Sequence, residues 1–349
     1  MMASIIHRAC GKLHRAARKF QKKFNSRGLI LMYHSIGEEP MDAWSLRVRP
    51  KHFEEHMEAI RKMAQPMSLS ELYKSVADGN VPDRAIAITF DDGYYNNLQL
   101  GKPILEKHEV PATVFVASDF VEKGVSYWWD DLEYALMRPG RLPDQLTLKL
   151  NGNEHQWELG DAAELTEEQA KKENLPRPWF GQEGTRCQFH FSVWATLNEY
   201  LPHEQRELMN QVLDWAQVTM PELREPYRPM TPNELHELED GNLVSVGAHT
   251  AHHPMLDKQT ADIQRQEILQ GKQYLEDLLN HPVKNFAYPF GLYNDDTEAI
   301  LEEAGFDCAV TTKGESVWKN NGRFFLPRME VTDFSGEEME SALESWFKS

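Results

Sequence analysis

The stretch AIAITFDDG (residues 85–93) ends an apolar run on two adjacent aspartates, Asp91 and Asp92. Neighbouring carboxylates at the end of a buried strand repel each other, so the pair needs a cation or a proton. Farther along, HTAHHP (249–254) puts His249 and His253 four residues apart, close enough to face one way. Imidazole together with carboxylate suits zinc or a similar divalent ion, and two histidines plus one aspartate make the three protein ligands of an open catalytic metal site. Neighbouring side chains on a strand diverge, so one aspartate can bind the ion while the next faces a substrate. A divalent cation also removes the like-charge penalty. Asp92 is assigned to the metal and Asp91 to a general base, an order the spacing alone does not decide.

Such a site hydrolyses an amide or ester. A held metal lowers the pKa of its water from 15.7 towards about 7 and polarises a carbonyl, while Asp91 receives the proton. A developing oxyanion needs a backbone N–H as well, which the turn formed by Tyr288, Pro289, Phe290 and Gly291 would offer at Phe290. The departing amine needs an acid, and His34 has a suitable intrinsic pKa. Arg328 would orient Asp91 and hold it ionised. Each feature also has a plainer reading: DDG as an ordinary turn, HTAHHP as a solvated loop, His34 as a structural histidine, Arg328 as a surface residue.

These residues are useful only if the fold gathers them. Short β-rich runs at 29–36, 85–90, 112–118, 243–250, 285–291, 307–312 and 323–331 alternate with helical patterns near 51–64, 97–108, 261–280, 294–304 and 335–347. Near-continuous apolar strands separated by helices predict a parallel sheet covered on both faces. Seven strands fit a barrel better than an open sheet. His34, the two aspartates, the two histidines, the YPFG turn and Arg328 all fall at or near C-terminal strand ends. In parallel α/β folds those ends share one rim, where active sites are built.

Between about 121 and 235 the alternation breaks into a polar segment with six of the nine tryptophans. A structureless loop of that length is implausible, so an inserted, largely helical subdomain over one face is expected. Its tryptophans suit core packing, with sugar stacking as the sharper alternative. Residues 1–28 carry eight Lys/Arg and no acid at amphipathic helical spacing, although the whole chain has a net charge of −18. That leader predicts a helix on an anionic membrane surface or one docked on the acidic body. The overall acidity argues against nucleic-acid binding. No apolar run long enough to span a membrane occurs, the leader lacks the apolar core of a signal peptide, and three scattered cysteines suit reduced thiols. A cytoplasmic protein, peripheral on the inner face of the membrane, is therefore expected.

The motifs TFDDG (89–93), HTxxHP (249–254) and YPFG (288–291), in this order after MYHSI (32–36), resemble the polysaccharide deacetylase family, the NodB-homology group or carbohydrate esterase family 4. The likeness covers roughly 29–120 and 240–335. It implies a distorted (β/α)7 barrel, here at 29–120 and 236–349 with the 121–235 insertion, and a divalent metal, often zinc. It also implies removal of N-acetyl groups from a glycan. Asp91 matches the family's base, and Asp92, His249 and His253 its metal ligands. Two departures stand out. Phe286, Ala287 and Tyr288 occupy the place where the third motif usually carries an arginine, and LPRMEV (326–331) lacks the usual histidine acid. In this the chain resembles the branch acting on exported poly-N-acetylglucosamine, where the histidine of the YH pair is the proposed acid, which favours His34, with Arg328 in place of the missing arginine.

The expected activity is a metal-dependent hydrolase removing N-acetyl groups from an amino-sugar glycan or lipid-linked precursor in bacterial surface polysaccharide biosynthesis. Rival readings are a sugar deformylase on the same site and a non-catalytic glycan-binding protein that keeps the fold. An iron oxygenase of the two-histidine, one-carboxylate type shares the ligand types. The early, distant carboxylate with a second one beside it speaks against that.

Overall fold

The computed structural model describes residues 27–39, 41–173, 181–220 and 225–348. The leader helix expected at 1–28 lies outside the described residues except for its last two positions.

The sheet grows from the apolar runs. Its strands are β1 (Gly28–Tyr33), β2 (Gln65–Pro66), β3 (Ala85–Phe90) and β4 (Ala112–Val116), then, beyond an excursion described below, β7 (Val244–Ala248), β8 (Asn285–Ala287), β9 (Cys308–Val310) and β10 (Met329–Glu330). All pair in parallel in the order β9-β8-β7-β4-β3-β1-β10, with β2 beside the start of β3. The segment before β10 turns this curled sheet towards closure. Ala309 and Thr311 donate to the carbonyls of Arg323 and Leu326, at 2.9 and 2.8 Å, while Met329 pairs with Leu31 of β1.

Both faces are buried, which is why the strands read as unbroken apolar runs. In β1, Leu29, Leu31 and Tyr33 pack outward against the helices, whereas Ile30 packs in a second cluster inside the barrel. In β3, Ile86, Ile88 and Phe90 face outward and the small Ala85 and Ala87 face inward. The covering helices are α1 (Pro50–Met63), α2 (Leu69–Ala77), α3 (Lys102–His108, entered through a π-helical turn), α9 (Pro232–Glu239), α10 (Ala261–Leu279), α11 (Asp295–Glu303) and α12 (Gly336–Lys348). Ser68 and Glu71 form a capping box that starts α2, a local signal of the same kind as that of Ser335 and Glu338 ahead of α12.

Between β4 and β7 the chain leaves the sheet for α4 (Ser118–Lys123), α5 (Trp128–Leu136), α6 (Glu167–Glu173), α7 (Arg186–Leu197) and α8 (Pro202–Ala216). Among these helices lies an antiparallel hairpin, β5 (Gln145–Leu150) with β6 (Asn153–Glu158). Asn151 and Gly152 take φ of 52° and 82° at its tip, the left-handed pair that a two-residue turn of this kind demands. The segment packs around its own apolar cluster, which includes Trp128, Trp129, Leu146, Leu148, Val193 and Val212.

Candidate active site

Strand register brings the chemistry together. Tyr33 pairs with Phe90 and Val116 with Ala248, so the residues that follow each strand emerge at one rim. There a cleft of about 440 Å³ is lined by His34, Asp91, Asp92, His249, His253 and Phe290, with Trp44, Trp129, Trp194 and Glu330 around them.

The two aspartates part company at the end of β3. Asp91 continues the ladder, its N–H donating to Tyr33 O at 2.9 Å. Asp92 then turns to φ 73°, and Tyr127 Oη donates to its carbonyl at 2.7 Å. The side chains are thereby sent to different neighbours. Both Asp91 oxygens accept from Arg328, Nη1 and Nη2 each at 2.7 Å. Arg328 is itself wholly buried and anchored, donating from Nε to Thr311 O at 3.0 Å and from Nη1 to Thr89 Oγ1 at 3.1 Å. Burial alone would raise the Asp91 pKa, but the charge and hydrogen bonds of Arg328 outweigh it and hold the carboxyl well below the usual range.

Asp92 faces the imidazoles. Its Oδ1 lies 3.7 Å from His249 Nε2 and 3.5 Å from His253 Nε2. Four ligands about 2.0–2.1 Å from a tetrahedral zinc stand roughly 3.3 Å apart, and the three ligand atoms offered here all lie within 4.8 Å of one another, close enough to share one ion. His249 Nδ1 donates to Ala287 O at 2.7 Å, which leaves the Nε2 lone pair turned towards Asp92. Burial pulls the His249 pKa down to about 4 and that of His253 well below normal. Both rings are thus neutral, the form in which imidazole can bind a metal. Burial, then the charges of Asp91 and Asp130, push the Asp92 carboxyl well above its ordinary value, a cost that a cation removes. The donor set fits a divalent ion.

His34 follows β1 on the same rim. Burial lowers its pKa, partly opposed by the charges of Asp91 and Glu330. Phe290 stands edge-on to His253, ring centroids 4.6 Å apart, with its backbone at φ 58°. The other three residues of the YPFG turn do not line the cleft. Tyr288 is buried and donates to Phe324 O at 2.9 Å. Pro289 is buried in the turn. Gly291 has φ 70°, and a Cβ there would meet Thr312 Oγ1 at 2.1 Å, so a glycine is required. Arg328 touches Asp91 rather than the cleft and is a positioning residue.

Sequence reasoning missed Glu330, Trp44 and Leu46. Glu330 lies two residues beyond Arg328 on β10, a same-face spacing that could have pointed to it. Trp44 and Leu46 come from a loop pinned where Ser35–Ile36 pairs with Arg47–Val48, and nothing in their own sequence marks them. The aromatic wall joins separate segments: Trp44 and Trp194 are 4.7 Å apart, and Trp194 and Phe290 5.7 Å.

Comparison with known proteins bears on the family and the fold. The family model described as polysaccharide deacetylase matches residues 78–174 and 205–309, more than half of the chain. A Bacillus subtilis (strain 168) protein, YxkH, named for the same activity, is 23% identical over 319 residues, covering 90% of this chain and 76% of that protein. A Staphylococcus aureus (strain MSSA476) poly-beta-1,6-N-acetyl-D-glucosamine N-deacetylase is 25% identical over 80 residues, only 23% of this chain and 27% of its own length. In fold, the chain is similar to the Streptococcus pyogenes deacetylase PplD in complex with acetate (TM-score 0.53, 20% identity, 91% and 99% of the two chains). It is likewise similar to IcaB from Ammonifex degensii (TM-score 0.55, 15% identity, 93% and 98%). The chain belongs to the polysaccharide deacetylase family, and with it to the hydrolases that remove N-acyl groups from glycans.

Proposed function

We propose that the protein is a divalent-metal-dependent N-deacetylase that removes acetyl groups from an amino-sugar glycan or a lipid-linked glycan precursor in bacterial surface polysaccharide biosynthesis. The observation that carries this is the shared cleft: an ionised, anchored Asp91 stands beside two neutral imidazoles converging on Asp92. Asp92, His249 and His253 would hold the ion, zinc being the expected one. When bound, it supplies Lewis acidity to the scissile carbonyl and to the attacking water.

The chain's own groups carry the protons. Each Asp91 oxygen accepts one bond from Arg328 and keeps a lone pair for a water proton. Arg328 keeps that carboxylate unprotonated and fixed in direction. His34, made more acidic than free imidazole by its burial, gives a proton to the departing amine nitrogen. The Phe290 backbone N–H is assigned to the developing oxyanion. The aromatic wall of Trp44, Trp129 and Trp194 suits the apolar face of a sugar ring.

We further treat 121–235 as an inserted subdomain within a barrel formed by 29–120 and 236–349. We also read the protein as cytoplasmic, with peripheral membrane contact through the basic residues 1–28 as the leader's role. No helix among the described residues is long and apolar enough to cross a membrane.

The test pairs metal analysis with product analysis. Wild type should carry a divalent ion that His249→Ala loses, and should release acetate from N-acetylglucosamine oligomers or acetamido-sugar lipids. Asp91→Asn should keep the ion and lose activity by about 10²–10⁴-fold. Formate release would point to the deformylase reading. Metal uptake with no product from any of these glycans, in wild type and Asp91→Asn alike, would leave a glycan-binding protein.

A further inference from the structure

The loop bearing His249 and His253 is held in a conformation it would not choose alone. Thr250 and His253 have φ of 64° and 61°, left-handed values that are unfavourable for a β-branched residue and persist only where surroundings impose them. The His253 N–H donates to Thr250 Oγ1 at 2.9 Å, but that bond lies within the loop and cannot fix its place against the barrel.

The imposing contacts meet at His252, whose side chain turns away from the metal ligands. From α10, Glu267 accepts twice: Oε2 from the His252 N–H at 2.9 Å and Oε1 from His252 Nδ1 at 2.8 Å. From α4, Asp119 Oδ1 lies 3.2 Å from His252 Nε2. Both carboxylates belong to residues that are themselves buried. Backbone bonds run alongside: Ala251 N to Glu267 O at 3.0 Å and Asp119 N to Ala251 O at 2.9 Å. Behind them α10 presses against the loop at Gly271, where a Cβ would lie 2.6 Å from the Thr250 carbonyl carbon. His252 is thus gripped from both sides, with a metal ligand next to it in sequence.

We propose that Glu267 and Asp119, acting through His252, are positioning residues for the metal site: they set the direction of His253 and the strained loop, and so the affinity and geometry of the ion. This rests on the reading of Asp92, His249 and His253 as ligands.

The experiment measures Zn²⁺ affinity by competition with a chromogenic chelator, and the visible spectrum of the Co²⁺-loaded protein, in wild type, Glu267→Gln, Glu267→Ala and Leu275→Ala. The last removes a buried side chain of the same helix and controls for general destabilisation. Glu267→Ala should weaken Zn²⁺ binding by about 10- to 100-fold and alter the Co²⁺ bands. Glu267→Gln, which keeps an acceptor for the His252 N–H, should fall between it and wild type, and it carries the test if the alanine variant does not fold. Leu275→Ala should lower Tm and leave the affinity unchanged. The proposal is overturned if wild type binds tightly and both Glu267 variants bind equally well, or if Leu275→Ala weakens binding as much as they do. If wild type takes up no divalent ion, the ligand assignment itself has failed.

Discussion

Replacing Arg328 by methionine isolates what holds Asp91, the proposed base, ionised. The guanidinium makes two charge-assisted hydrogen bonds to Asp91, both 2.7 Å, where neither side chain is open to water. Hydrogen bonds to charged groups contribute about 1.5–3 kcal/mol each, so the pair stabilises the carboxylate by about 3–6 kcal/mol. At 1.36 kcal/mol per pKa unit, its loss should raise the Asp91 pKa by about 2–4 units. The sign follows from linkage: a carboxyl depressed in the folded state adds stability above its unfolded pKa of 3.8 and loses it only as pH falls below that. In Arg328→Met burial loses its main opponent, so Asp91 takes up a proton at a pH where the native protein keeps it off. The assay is kcat/KM for acetate release against pH. The acid limb should move up by that same interval, and Arg328→Lys, keeping a charge without the two-pronged bond, should lie between. Stability should also fall, by about 3–5 kcal/mol, because one member of a buried ion pair remains alone. An Arg328→Met enzyme whose acid limb overlays the wild type would refute the reasoning.

Two other side chains invite measurement. His190 is fully buried, neither ring nitrogen has a hydrogen-bond partner among the described residues, and burial pulls its pKa down to about 3. Between that value and its ordinary 6.5 only the unfolded chain binds the proton, so acid destabilises; His190→Phe should gain about 2 kcal/mol relative to wild type on going from pH 7 to pH 5, read by denaturant melts at both. A constant difference between the two proteins at both pH values would count against it. Trp194, in contact with Trp44 and Phe290, should act on binding: Trp194→Ala is expected to raise KM by about 2- to 10-fold with kcat nearly kept. A fall in kcat alone would remove it from the sugar-facing wall.

How much of this could be read beforehand differs by the range of the interaction. The seven longer strand runs were legible because a strand buried on both faces must be apolar throughout, and the sheet contains all seven. Strand Gln65–Pro66 has no such run, since pairing with β3 alone defines it. Helix α2 and the β5–β6 hairpin carry purely local signals, Ser68 with Glu71 and Asn151 with Gly152, that are independent of the apolar strand pattern. In the cleft, residues following their strands closely could be placed on one rim. Glu330 could have been reached from its two-residue spacing to Arg328, but Trp44 could not, because what puts it there is packing between segments far apart in sequence. The turn 288–291 was overread: only its third residue faces the cleft, since a glycine is needed where it backs onto Thr312 and Tyr288 points into the barrel wall.

The segment leading into the last strand supplies the partner of Asp91, and the two residues are 237 positions apart. Chains are made from the N-terminus and fold as they emerge. A nascent chain therefore holds Asp91, Asp92, His249 and His253 well before Arg328 exists. Until that segment docks, Asp91 lacks the guanidinium that holds its carboxyl below the usual range. Seating β10 thus both finishes the wall and brings in the group that keeps Asp91 ionised.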